Sequence, residues 1–196
     1  MKKWMSVLLM VCLLCGMISA TAETTALVVF FSRAGENYNV GVVEEGNTAR
    51  LARIIAEQVG ADTFEIIPEK AYPVDYEATK VIATRERQND ERPAYLGKLE
   101  SWERYDTVFI GYPIWWGGIP MILYSFMEDY DWSGKTVIPF NTHEGSGQGG
   151  TVTQIEALCP GATMLQGLAV RGSKAQNDLE GATQDVMVWL EELRLK

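Results

Sequence analysis

The first residues that could do chemistry lie in a loop that leads into a helix pattern. The loop begins Ser32-Arg33-Ala34-Gly35 and ends with the pair Asn47-Thr48. Backbone N–H groups at a helix N-terminus, aided by the helix dipole and by hydroxyl or amide side chains, bind phosphate. No lysine follows the glycine, which argues against a nucleoside triphosphate. The pattern predicts a phosphate site, and an ordinary helix cap is the alternative.

A second loop places two tryptophans beside glycines. It reads Pro113-Ile114-Trp115-Trp116-Gly117-Gly118 and follows an apolar segment. A core tryptophan usually lies inside an element with neighbours on all sides, so this position suits contact with a flat ring. Glycine lets backbone N–H groups approach the polar edge of such a ring. One tryptophan could still be a packing residue, and the sequence does not distinguish between them.

A third loop contains Thr142-His143 and Gly145-Ser146-Gly147. Four of the ten residues 141–150 are glycine, which indicates a backbone that turns closely around something. His143 is the only histidine of the chain, so it cannot belong to a multi-histidine metal site. A lone histidine is commonly a surface or structural residue. Its place in this loop makes a functional role the alternative.

The segments between these loops alternate between strand and helix patterns. Unbroken apolar runs such as 26–32 and 105–112 are typical of parallel strands that are buried on both faces. Further strands are predicted at 62–67, 136–141 and 163–170, and helices at 48–59, 75–88, 119–127, 152–158 and 178–193. The alternation predicts an α/β fold in which helices cover both faces of a parallel sheet. The three loops then share the carboxyl edge of the sheet, where such folds bind ligands.

Taken together and in this order, the three loops closely resemble the flavin-binding loops of flavodoxins. The chain departs from the family pattern at Ala34, where a second hydroxyl is common, and through an insertion at about residues 37–45. The resemblance covers residues 25–196. It implies a flavodoxin-like three-layer sandwich whose five-stranded parallel sheet has the order 2-1-3-4-5, and non-covalently bound FMN. The residues that it assigns to the cofactor are Ser32, Arg33, Ala34, Gly35, Asn47, Thr48, Pro113, Ile114, Trp115, Trp116, Gly117, Thr142, His143, Gly145, Ser146 and Gly147.

The resemblance implies electron transfer, or flavin-dependent reduction of small acceptors such as quinones. FMN would carry the chemistry, so no catalytic side chain is required. The partner would be a redox protein or a small acceptor, and a reductase often places its second pocket at a homodimer interface. The alternative is a non-redox module that binds another phosphate ligand on the same scaffold. A hydrolase is disfavoured because no Gly-x-Ser-x-Gly elbow is present.

The N-terminus has the pattern of a secretory signal. Lys2 and Lys3 precede an apolar run, and Ala20-Thr21-Ala22 offers a cleavage site. We therefore predict a signal peptide at 1–22 and one flavodoxin-like domain at 23–196, exported from the cytoplasm. The run is shorter than a membrane span. A signal anchor and a lipoprotein acylated at Cys15 are the alternatives.

Removal of this segment changes the charge and the cysteine content of the chain. The net charge of −9 becomes −11, which disfavours nucleic acids and anionic membranes as partners. Cys159 is then the sole thiol, so no internal disulfide can form. The fold must be stabilised by its core alone.

Overall fold

The structure is a computed structural model that describes residues 25–195. The predicted signal peptide, residues 1–22, lies outside the described residues. The strands are β1 (Ala26–Phe30), β2 (Gly35–Asn37), β3 (Gly41–Val43), β4 (Asp62–Glu65), β5 (Ile67–Pro68), β6 (Tyr95–Leu96), β7 (Thr107–Pro113), β8 (Thr136–His143), β9 (Thr163–Met164) and β10 (Leu168–Arg171). The helices are α1 (Asn47–Val59), α2 (Tyr76–Gln88), α3 (Met121–Glu128), α4 (Thr151–Leu158), α5 (Gly172–Asn177) and α6 (Leu179–Glu192), with a 3₁₀ turn at Trp102–Arg104.

The main sheet is parallel, and its order confirms the predicted fold. β4, β1, β7 and β8 are successive neighbours, and β9 and β10 both pair with β8. Because β7 pairs with β8 from Thr136 to Thr142, β9 and β10 must share the opposite edge of β8. The fifth position is thus one strand in two pieces, and the order is the predicted 2-1-3-4-5.

Pro139 explains why the fifth strand is interrupted. The pairing of β9 with β8 ends at Val137 and that of β10 begins at Phe140, so the gap lies opposite Pro139. Proline has no N–H for the ladder. A Cβ on Gly167 would also lie 2.8 Å from the Pro139 carbonyl oxygen, so the chain passes too close here for a larger residue.

Two apolar clusters, one on each face, hold the helices against the sheet. Successive strand residues point to opposite faces, and in β1 Leu27 and Val29 join one cluster while Val28 joins the other. α3 and α4 pack on the first face, and α1 and α6 on the second. Burial on both faces accounts for the unbroken apolar run of β1.

The termini of α1 and α2 follow from local sequence. α1 ends at Gly60, whose left-handed φ of 66° is accessible to glycine at little cost. α2 begins after Asp75, whose side chain accepts a hydrogen bond of 2.6 Å from Ala78 N. Among residues 25–195 no helix is long and apolar enough to cross a membrane.

The insertion in the first loop forms an antiparallel hairpin that the sequence patterns did not predict. β2 and β3 pair from Gly35 with Val43 to Asn37 with Gly41. Glu36 N donates to the Val74 carbonyl at 2.8 Å, which fastens the hairpin to the segment before α2. A second short ladder pairs β5 with β6, so the chain leaves the main sheet after Glu65 and not after Ile67.

Candidate functional site

The three predicted loops meet at one cavity of about 310 Å³, within the size range of small-molecule sites. They converge because β7 lies between β1 and β8, and parallel strands share one carboxyl edge. Eight of the predicted residues line this cavity: Arg33, Asn47, Pro113, Ile114, Trp115, Trp116, Thr142 and His143.

The other predicted residues lie around this cavity or behind it. Ser32 and Ala34 line a separate cavity of about 650 Å³. Gly117, Gly145 and Ser146 are exposed, and Gly147 is half-buried. Gly35 has a φ of 91°, and a Cβ there would lie 2.8 Å from the Val74 carbonyl oxygen. Thr48 is buried.

The start of α1 combines a helix cap with groups that remain available for a ligand. Ser32 Oγ accepts a hydrogen bond of 3.0 Å from Ala49 N. A Cβ on Gly46 would lie 2.3 Å from that oxygen, so this approach requires glycine. The N–H groups of Asn47 and Thr48 have no acceptor within the helix. Asn47 Oδ1 is buried and has no hydrogen-bond partner among the described residues.

Arg33 contributes to the wall of the cavity. Its guanidinium donates to the carbonyl oxygens of Pro73 at 2.8 Å and Val74 at 3.2 Å, and also to that of Glu36. These bonds hold the hairpin and the segment before α2 together. The positive charge of Arg33 therefore lies in the cavity wall, while its N–H groups are hydrogen-bonded to backbone carbonyls.

The two tryptophans of the second loop have different surroundings. The Trp115 ring lies edge-on between Phe31 and Tyr72, with centroid distances of 5.4 and 5.0 Å. Trp116 is 56% exposed and has a φ of 51°, which is rare for a residue other than glycine. Lys80 lies 5.8 Å from its ring centroid. Trp115 thus packs against the core, and Trp116 offers a free face at the rim.

The backbone of the third loop determines which nitrogen of His143 carries the proton. His143 Nδ1 accepts hydrogen bonds from Gly145 N at 2.9 Å and Gly147 N at 3.1 Å. The neutral ring must then carry its proton on Nε2. Burial lowers the pKa of His143, Arg171 lowers it further, and Glu144 partly opposes them. Nε2–H is therefore a hydrogen-bond donor at this cavity.

Glu144 is held beside this histidine by the chain after β10. Its carboxylate accepts from Ser173 N at 2.6 Å and from Ser173 Oγ at 3.2 Å. The third loop is thereby joined to α5.

Sequence reasoning missed the wall that the hairpin and α2 build. The lining residues that were not assigned to the cofactor from sequence are Asn37, Tyr38, Tyr76, Thr79, Lys80, Ala83 and Glu144. Four of them follow one another in α2 at positions 76, 79, 80 and 83, the spacing of a single helix face. That spacing was visible in the sequence, but the hairpin that faces it was not.

The residues present fit the chemistry of FMN. The N–H groups at the start of α1 suit a phosphate, and the buried Asn47 Oδ1 can accept from a hydroxyl such as those of the ribityl chain. Trp116 and Tyr38 offer exposed aromatic surface for a flat ring. No cluster of residues that could hold a metal ion occurs within 25–195.

Comparisons with known proteins agree with this fold. The sequence model of the flavodoxin family matches residues 27–186. A solved protein of Bacteroides eggerthii DSM 20697 assigned as a flavoprotein is 31% identical, with a TM-score of 0.69, covering 88% of this chain and 99% of that one. One from Bacteroides uniformis ATCC 8492, assigned likewise, is 32% identical, with a TM-score of 0.66 and coverages of 85% and 97%.

A more distant structure shares the fold. A flavoprotein of Lactobacillus acidophilus NCFM solved in complex with FMN is 18% identical, with a TM-score of 0.60, covering 80% of this chain and 97% of that one. No curated protein matches the sequence. Because the family model covers most of residues 25–195, the chain belongs to the flavodoxin family.

Proposed function

We propose that this protein binds FMN at the 310 Å³ cavity and uses it in electron transfer or in the reduction of small acceptors such as quinones. The observation that carries the proposal is the convergence of the three flavin-type loops on one cavity. Family membership and the FMN complex of the Lactobacillus flavoprotein support it. Bound FMN would supply reversible uptake of one or two electrons.

The residues of the chain would bind and orient the cofactor. The start of α1 would hold the phosphate through the N–H groups of Asn47 and Thr48. Trp116 and Tyr38 would cover the ring and exclude water, and His143 Nε2–H would donate to a ring oxygen. The chain thus provides position and electrostatics, while no side chain has to act as an acid or nucleophile.

The rim of the cavity favours a small, flat acceptor. Tyr38 stacks on Tyr76 at a centroid distance of 5.9 Å, and Lys80 lies over the Tyr76 ring at 5.3 Å. With Tyr38 57% and Trp116 56% exposed, aromatic faces frame the entrance. Quinones and similar rings would pack against such faces. A redox protein is the second candidate for the partner.

We further propose that the protein acts after export from the cytoplasm.

Calorimetry with FMN, FAD and riboflavin on the chain from residue 23 tests the proposal. We expect FMN to bind at least about tenfold more tightly than riboflavin, the scale of one charge-assisted hydrogen bond. Asn47→Ala should weaken FMN binding, whereas Asn177→Ala, at an exposed position outside the cavity, should not. Equal affinity for riboflavin and FMN would contradict the phosphate site.

A redox titration separates the proposal from the non-redox alternative. The complex should be yellow and should be reduced and reoxidised reversibly, and a quinone should reoxidise it. A chain that binds inorganic phosphate or other phosphate esters as tightly as FMN would instead be the phosphate-binding module.

A further inference from the structure

The last turn of α2 contacts the tryptophan loop, residues 115–118, in two independent ways. Arg87 Nη1 donates to the carbonyl oxygens of Trp116 at 2.8 Å and Trp115 at 3.3 Å. The neighbouring Glu86 accepts a hydrogen bond of 3.0 Å from the Tyr72 hydroxyl, and the Tyr72 ring lies edge-on to Trp115 at 5.0 Å. One contact reaches the backbone of the loop and the other reaches a side chain.

Glu86 is a buried carboxyl group whose desolvation is offset by its hydrogen bond from Tyr72. Glu86 as a residue is 4% exposed, and burying a carboxyl group costs free energy unless hydrogen bonds compensate. The adjacent cation, Arg85, pairs with Glu91 at 3.1 Å. Burial accordingly raises the pKa of Glu86, and the hydrogen bond from Tyr72 opposes this rise. An apolar residue would fill the position at lower cost but could not fix the Tyr72 hydroxyl.

The loop is a tight turn with internal hydrogen bonds, and the Arg87 guanidinium lies against it. Trp116 has a φ of 51°, a conformation that is rare for a residue other than glycine and is held by contacts with its surroundings. Within the loop, Trp115 N donates to the Gly118 carbonyl at 2.9 Å, and Gly118 N donates back at 3.0 Å. A Cβ on Gly118 would lie 2.8 Å from Arg87 Nη1, so the loop closes tightly around the guanidinium.

Arg87 has no competing ionic partner in the part of the chain that the structure describes. Within residues 25–195 no carboxylate lies at ion-pair distance from it, whereas Arg85 and Arg92 are both paired. Its charged donors are therefore directed at two carbonyl oxygens, which gives hydrogen bonds of the stronger, charge-assisted kind.

We propose that the last turn of α2 positions the tryptophan loop, with Arg87 holding its backbone and Glu86 holding the Trp115 ring through Tyr72. Glu86, Tyr72 and Arg87 are positioning residues, because they act on the cofactor through the loop. For its effect on FMN, this inference rests on the proposed function. The orientation of the loop in the free protein does not depend on it.

The indole N–H signals of Trp115 and Trp116 in NMR spectra of the free protein test the positioning. Tyr72→Phe keeps the ring and removes only the hydroxyl, and we expect it to shift the Trp115 signal. Arg87→Met should shift or broaden the Trp116 signal. Unchanged signals in both variants would overturn the proposal.

The chain offers matched controls. Tyr95 also donates to a carboxylate, Asp129, at 2.7 Å and packs on Phe126, so Tyr95→Phe removes an equivalent bond outside the cavity. Arg85→Met removes a guanidinium from the same turn of α2. Both should leave the indole signals unchanged, and shifts as large as those of the site variants would contradict a specific role.

Conservative substitution separates positioning from simple stabilisation. Glu86→Gln retains an acceptor for Tyr72 and should keep the wild-type indole signals, whereas Glu86→Leu should reproduce the effect of Tyr72→Phe. If Glu86→Leu fails to fold, Tyr72→Phe decides the point. Glu86→Gln signals that match those of Tyr72→Phe would count against the proposal.

FMN affinity and reduction potential then test the consequence for the cofactor. Arg87→Met should weaken FMN binding about tenfold, the scale of one charge-assisted hydrogen bond, and should shift the potential. Tyr95→Phe should change neither. A wild-type chain that binds no FMN would refute the proposed function, while the indole signals would still decide the positioning. Variants with altered indole signals but wild-type affinity and potential would refute the effect on the cofactor.

Discussion

The side-chain hydroxyls of Thr48 and Thr142 lie 2.9 Å apart in the interior and are hydrogen-bonded to each other. Thr48 lies in the first turn of α1 and Thr142 is the last residue but one of β8, so residues 94 positions apart in sequence are joined directly beneath the site. The bond links the predicted phosphate loop to the loop of His143. It also shows that the Thr48 hydroxyl has a protein partner.

We expect Thr48→Val and Thr142→Val to be coupled. Each alone should lower the free energy of unfolding by about 1–3 kcal/mol, because each leaves one buried hydroxyl without its partner. The double variant should cost less than the sum of the two. Urea unfolding measures all three, with Thr183→Val as control, because the Thr183 hydroxyl bonds to the Leu179 carbonyl within α6. Additive effects would show that the bond contributes nothing.

We expect Trp115→Ala to affect mainly stability and Trp116→Ala to affect mainly FMN binding. The half-buried Trp115 ring packs between Phe31 and Tyr72, so its loss should lower the free energy of unfolding by about 2–3 kcal/mol, less than for a fully buried tryptophan. The half-exposed Trp116 should change stability little and should weaken FMN binding by ~0.5 to 1.5 kcal/mol or more. Thermal unfolding of the free chain and FMN titration separate the two. Equal effects of both variants on stability and binding would contradict this assignment.

The lowered pKa of His143 predicts how stability depends on pH. The unfolded chain takes up this proton near pH 6.5, whereas the native ring resists it because of burial and Arg171. The stabilising contribution is therefore complete above about pH 6.5 and declines as the pH falls towards the native pKa. The free energy of unfolding, measured with urea between about pH 5 and 8, should rise less steeply with pH in His143→Gln than in the wild type. Parallel slopes would argue that the native and unfolded pKa values are equal.

Export predicts a processed N-terminus. Mass spectrometry of the protein from its native host should find a terminus at or near Glu23, after the Ala20-Thr21-Ala22 site. A chain that begins at an acylated Cys15 would identify the lipoprotein alternative. Ala22→Leu should impair cleavage and serves as control. An intact chain starting at Met1 in the cytoplasm would contradict export.

The sequence by itself determined the alternation of strands and helices and the place of the three loops, whereas the order of the main sheet came from the resemblance to flavodoxins. Apolar runs such as that of β1 depend only on burial of both faces, and the glycines and hydroxyl residues of the loops depend on local backbone geometry. Both properties depend on residues that are close together in the sequence. The strand and helix patterns therefore predict that the three loops share the carboxyl edge of the sheet, which is where the cavity lies.

Only the tertiary structure decided how the cavity is walled and which tryptophan is exposed. The hairpin at 35–43 is held by Val74 and Pro73, and Trp115 by Tyr72 and Glu86, through contacts between residues distant in sequence. Adjacent tryptophans have the same local pattern, so no period or motif distinguishes them. Their roles differ because the last turn of α2 and the core accept one ring and leave the other outside, a result of packing in three dimensions.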